Sequence, residues 1–213
     1  MKILPKRSEG EEIVNAYTHL VWAILSFMFL AIFLIDEHTS LKNKISSLFM
    51  MGISGWTFFS SYLYHSTKEK KKRRNREVDK TAIFLMITGT GVSLNLSCEN
   101  QLLSLLGSSI SIVLGCILLA AYVYKKHPTE AFSITSYIAL GCFCVLPIVG
   151  VFGENLYEYS SSSWLVIAGI ISYCLGILFY ARDSIEWNHT KWHIFVMIGF
   201  LFHAIGHYRS ISF

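Results

Sequence analysis

HTKWHIFVMIGFLFHAIGH, residues 189–207, decides how the rest of the chain is read. Its apolar residues fill a helix of the length that crosses a bilayer, about 20 residues. Yet it carries His189, His193, His203 and His207. Ionisable side chains inside lipid are costly and are candidates for function by default. The stretch therefore asks whether the chain spans a membrane, and what the imidazoles do there.

Composition answers the first question. The chain has 213 residues, 53% hydrophobic and 15% charged, with a mean hydropathy of +0.48. Soluble domains carry roughly 25% charged residues. This chain has too few to cover a globular surface and reads as a polytopic membrane protein. Seven stretches are long and apolar enough to span: residues 19–35, 45–64, 81–96, 102–124, 132–152, 164–180 and 192–211. The expected fold is all-α, one domain over residues 1–213, with residues 1–18 leading into the first helix. In the third stretch, Thr88, Gly89, Thr90, Gly91, Ser93 and Asn95 suit close helix packing. Pro147 predicts a kink in the fifth. The N-terminus has no apolar core and small-residue cleavage site of a signal peptide, so the first span is expected to be retained.

Charge sets the expected orientation. The connection KEKKKRRNRE, residues 68–77, holds seven basic residues. Short basic loops stay in the cytoplasm. The N-terminus with Lys2, Lys6 and Arg7, YKKHPTE and ARDSIEWNHTK fall on the same side. CENQ and GENLYEYSSSS, acidic or neutral, fall on the other. The expected topology has the N-terminus inside and the C-terminus outside. Beside a membrane, the basic run serves topology or lipid headgroups rather than nucleic acid. Membrane lipid is the expected partner; oligomeric state is left open. Cys98, Cys116, Cys142, Cys144 and Cys174 form no CxxC pair, and four of them read as small core residues.

That topology brings polar residues to one depth. His65 ends the second span, Asp79 precedes the third, and His189 and His193 open the seventh. His189 and His193 are four residues apart, hence on one helix face. Two such imidazoles with His65 as a third would leave a zinc ion one open position, as in a catalytic site. Ser61 lies one turn from His65, and Asp79 is placed to orient or deprotonate a water. The plainer reading is that these groups reach for the headgroups at helix ends. Glu12, Asn15 and His19 also share a face. They are either an ordinary amphipathic helix start or supports for the ligand imidazoles. His203 reads as a packed core residue and His207 as an interfacial one, with Cys98 and Glu99 as the nearest candidate partners.

EEIVNAYTH, SYLYHS, EVDKTAIFLMITGT and HTKWHIFV–FH occur in that order on seven spans. Together they resemble the hemolysin III family, the bacterial branch of the progestin and adipoQ receptor superfamily. The resemblance covers about residues 11–203. It implies seven helices and a zinc ion near the cytoplasmic leaflet. By motif the ligands are His65, His189 and His193, with Ser61 and Asp79 beside the zinc water. The same grouping includes alkaline ceramidases. The implied function is therefore a zinc-dependent hydrolase of a lipid amide or ester in a bacterial plasma membrane. A cytolysin or channel, and a sensor whose zinc is structural with Asp79 as fourth ligand, stand as alternatives. For the cytolysin, the sequence offers no soluble form, insertion hairpin or release signal.

Overall fold

The computed structural model describes residues 7–68, 71–97, 100–125, 128–155 and 160–212, with side chains omitted for 145–163 and 211–212. These residues form seven helices. They are α1 (Glu9–Ile35), α2, α3 (Lys72–Leu96), α4 (Gln101–Tyr124), α5 (Glu130–Asn155), α6 (Ser160–Tyr180) and α7 (Asn188–Ser212). Helix α2 runs Leu41–Ser47, widens into a π turn at Leu48–Gly52 and continues as Ile53–Ser66. Ser8, Ser40 and Asn100 cap the starts of α1, α2 and α4 by accepting backbone N–H groups from their first turns. The first helix begins at Glu9, inside the segment read from sequence as its approach. Helix α5 continues through Pro147, whose side chain lies outside those described.

Exposure runs opposite to that of a soluble bundle. Met28, Phe29, Ile32, Leu105, Val113 and Ile117 are all more than half exposed. The buried set includes Asn15, Ser26, Ser61, Asn95, His193 and His207. An apolar outer surface of this extent needs lipid, not water, as its solvent. By length and composition alone, only α1 and α4 among the described residues pass as spans. Helices α5 and α6 are apolar over the shorter stretches Glu130–Cys144 and Trp164–Tyr180, and α2, α3 and α7 carry buried polar residues such as Ser61, Asn95 and His193, which lower their average. Three of the cysteines depart from the core expectation. Cys116, Cys142 and Cys174 are exposed, and only Cys144 is buried. Cys98 and Glu99 lie outside the described residues.

Helix α7 packs along α6 and against α1; α1 packs on α2, and α2 on α3. Helix α3 also touches α4 and α5. Its small residues permit this: a Cβ at Gly89 would stand 2.6 Å from the Phe49 carbonyl oxygen in the π turn. Asn95 Nδ2 donates to the Gly91 and Cys144 carbonyls, at 2.7 and 3.2 Å, and ties α3 to α5. Among the described residues, α5 and α6 hardly touch. Among the described residues, the ring of helices is thus open between α5 and α6. Within it lies a cavity of about 430 Å³.

At the end of the bundle away from the N-terminus, the polar core is closed. His207 Nε2 bonds Ser47 Oγ at 3.0 Å and His207 Nδ1 bonds Ser93 Oγ at 3.2 Å. Ser46 Oγ pairs with Ser93 Oγ at 3.0 Å. All four are buried. His207 is therefore a buried tie between α2, α3 and α7, not an interfacial residue. Serines on two other helices satisfy it, and single-span periodicity does not show them.

Candidate metal centre

His65 sits in the last turn of α2, and His189 and His193 in the first two turns of α7. Their ligand atoms lie within 4.8 Å of one another, a group that could hold a metal ion. His189 Nε2 is 3.3 Å from His65 Nε2 and 3.1 Å from His193 Nε2. Zinc–imidazole bonds of 2.0–2.1 Å in a tetrahedron set neighbouring nitrogens about 3.3 Å apart, so the spacing fits.

The far nitrogens strengthen the fit. His65 Nδ1 is 2.7 Å from Glu12 Oε2. An ionised carboxylate can only accept, so this nitrogen carries the hydrogen and His65 Nε2 presents a lone pair. His189 Nδ1 lies 3.0 Å from Asp183 Oδ1, though off the hydrogen-bond line. The same argument turns its Nε2 bare. Two lone pairs that face each other across 3.3 Å repel unless a cation lies between them. Among the described residues the convergent group contains these three histidines and not Asp79, so one face is left for another oxygen.

The surrounding residues anchor the ligands. Asn15 Oδ1 accepts from Thr190 Oγ1 at 2.7 Å and locks α1 onto the first turn of α7. His19 stacks on His193, ring centroids 3.8 Å apart and planes within 9°. Glu12 bonds His65 and also pairs with Lys72 at 2.9 Å. Ser61 hydrogen-bonds Asp79. Ser61, Asp79, His189 and His193 share the wall of the cavity. Asp79 is partly accessible through that cavity.

Asp183 was not singled out by spacing. It lies in the turn before α7, where Trp187 adopts φ 64°. The Arg7 guanidinium reaches it at 2.7 and 2.9 Å and also donates to Tyr64 Oη at 3.1 Å. Burial pushes the Asp183 carboxyl up, but His189 and Arg7 more than offset this and hold it well below the usual carboxylate range. The available signal was weak: an acidic residue in a short loop six positions before a ligand.

Two further cations border the cavity. Arg76 and Lys80 both pair with Glu130, at 3.1 and 2.6 Å. Tyr180 donates to the same carboxylate at 3.2 Å. Farther in, the walls are Ile83, Met86, Ile87, Ile134 and Val196. Ile138, Cys142 and Cys174 line the cavity and are also exposed, so it opens sideways between α5 and α6.

Residues 8–204 match the haemolysin-III related family. The chain belongs to that family. It is 30% identical over 197 residues to Hemolysin-3 of Bacillus cereus, with 89% of this chain and 86% of the relative covered. The Hemolysin-3 homolog of Bacillus subtilis (strain 168) is also 30% identical, over 199 residues, with 89% of each covered. The family span contains His65, Asp79, His189, His193 and His203. In this haemolysin III family member, the histidine group therefore lies inside the shared region, not in an appended segment.

Proposed function

We propose that this chain is an intramembrane zinc-dependent hydrolase that cleaves an amide or ester bond of a membrane lipid, ceramidase-like in its chemistry. One observation carries the reading: three Nε2 atoms converge at a largely apolar cavity whose wall also carries Asp79 and Ser61. His65, His189 and His193 would hold the ion. When bound, zinc supplies Lewis acidity that polarises a carbonyl and brings a water's pKa toward roughly 7. The protein's side chains do the rest. Asp79 accepts a proton as the water oxygen bonds to the acyl carbon. It returns that proton to the leaving nitrogen or oxygen as the C–N or C–O bond breaks. Ser61 holds the Asp79 carboxylate in place, and the apolar walls take the acyl chain and exclude bulk water. The gap between α5 and α6 supports entry from the bilayer. The basic residues at 68–77 support the cytoplasmic leaflet for this end of the bundle, and the bacterial relatives support a bacterial plasma membrane.

The relatives are named for haemolysis. A direct pore fits the geometry poorly, because Ser46, Ser47, Ser93 and His207 bond one another where a pore would have to continue. Fatty acids or lysolipids released by hydrolysis would lyse membranes without one. A structural zinc is disfavoured by the absence of Asp79 from the convergent group.

Metal analysis and turnover together test the proposal. Wild-type protein in nanodiscs should hold about one zinc per chain, and the His189→Ala/His193→Ala variant none. Asp79→Asn should keep the metal and lose turnover on a panel of fluorescent acyl amides and esters. A wild type that takes up no metal, or an Asp79→Asn variant as active as wild type, would overturn it. Vesicle leakage without lipid cleavage would favour the pore.

A further inference from the structure

The far end of the cavity holds two polar atoms that nothing in the hydrolysis uses. His203 Nε2 lies 3.0 Å from the Val166 carbonyl oxygen. A carbonyl accepts only, so Nε2 carries the hydrogen and Nδ1 presents a lone pair. Among the described residues that Nδ1 is buried with no partner, and so is the Tyr173 hydroxyl. Both residues line the cavity. His203 is 3% exposed. The two rings meet edge to face, centroids 5.4 Å apart.

Neither side chain is free to turn away. The His203 ring lies against Gly169 of α6, where a Cβ would collide with it. The Tyr173 ring lies against Gly199 of α7, where a Cβ would stand 2.8 Å from Cε1. Each helix thus gives up a side chain to seat the other's ring. A buried polar group without a partner is unfavourable, and here the two rings that carry such groups meet edge to face on one cavity wall. One presents an acceptor and the other a hydroxyl. A hydroxyl is the small group that can donate to the first and accept from the second.

We propose that His203 and Tyr173 form a second polar subsite that binds a hydroxyl on the lipid chain. The inference rests on the hydrolase reading, because it assumes an acyl chain in the cavity. It narrows the substrate class to chains that carry an oxygen far from the scissile carbonyl. Ten residues of helix separate His193 from His203, so the two polar ends lie roughly 15 Å apart. The cavity is therefore a measuring slot: metal centre at one end, hydroxyl acceptor at the other, apolar wall between.

Displacement of a fluorescent fatty acid from the full chain in nanodiscs tests this. The competitors are dodecanoic acid, its ω-hydroxy derivative and a mid-chain hydroxy isomer. Without a subsite, a buried hydroxyl weakens binding. With it, the ω-hydroxy acid should bind about five- to tenfold tighter than dodecanoic acid, and the mid-chain isomer weaker than both. Tyr173→Phe should erase the ω-hydroxy advantage and leave dodecanoic acid unchanged; its melting temperature reports whether it folds. If the ω-hydroxy acid shows no advantage in the wild type, or keeps it in Tyr173→Phe, the subsite is wrong and the hydrolase reading survives. If none of the acids binds, the acyl-chain reading of the cavity falls and the subsite with it.

Discussion

A neutral imidazole binds a cation through the nitrogen that lacks a hydrogen, so the partner of the other nitrogen selects the ligand atom. Glu12 does this for His65 and Asp183 for His189. Removing such a partner weakens metal binding about 10–100-fold. Glu12→Ala should do so in a chelator competition, and Glu12→Gln, which can still accept, should lie nearer wild type. An unchanged affinity in Glu12→Ala would mean that α1 only packs. The Arg7–Asp183 pair gives a pH prediction with a definite sign. The folded carboxyl is held below its unfolded value near 3.9. Its stabilising contribution is present above that value and is lost only as pH falls through the depressed one. The stability difference between wild type and Asp183→Asn should therefore stay flat from about pH 5 to 8. The magnitude should be about 1–3 kcal/mol, since Arg7 is left buried while Asp183 keeps some solvent. A difference that shifts within that window would contradict the assignment. Spacing put His189 and His193 on one face and depth put His65 level with them, and their ligand atoms do converge; Glu12 read as either a helix start or a support, and it bonds His65. Asp183 and Tyr173 were not legible. Their roles depend on a turn and on a neighbouring helix, and no interval along one helix encodes either.

The π turn in α2 was not legible either, and it decides how α3 docks. One extra residue per turn brings the Phe49 carbonyl against Gly89. The small residues of α3 did announce close packing, but not against what. Gly89→Val should force the helices apart and lower stability by about 1–3 kcal/mol, with α2 carrying His65 away from α7. Thermal unfolding and metal content should fall together; stability lost with metal affinity intact would uncouple this packing from the site. At the far end, His207→Ala should cost about 0.5–2 kcal/mol, in line with interhelical hydrogen bonds in membranes. Metal content should be unchanged, because the tie to Ser47 and Ser93 lies at the other end of α7. Loss of zinc in this variant would show that the two ends of α7 are coupled.

Seven helices put the start of α1 and the end of α7 at opposite ends of the bundle, and a lipid-facing exterior follows from the apolar outer faces of α1 and α4. This much was readable from composition. The opening between α5 and α6 was not, since it depends on how little the described parts of two helices touch. A lipid substrate whose reactive bond lies near the headgroup needs an entry from the side, and the exposed lining residues Cys142 and Cys174 stand at that opening. Filling the gap should then slow the reaction without touching the chemistry. If the proposed hydrolysis holds, Cys174→Trp should retain zinc and lower kcat/KM for a long-chain lipid severalfold, with a smaller effect on a short, water-soluble ester that need not pass that gap. Equal losses on both substrates would place entry elsewhere. Losses on neither would mean that the bilayer does not feed the cavity through α5 and α6.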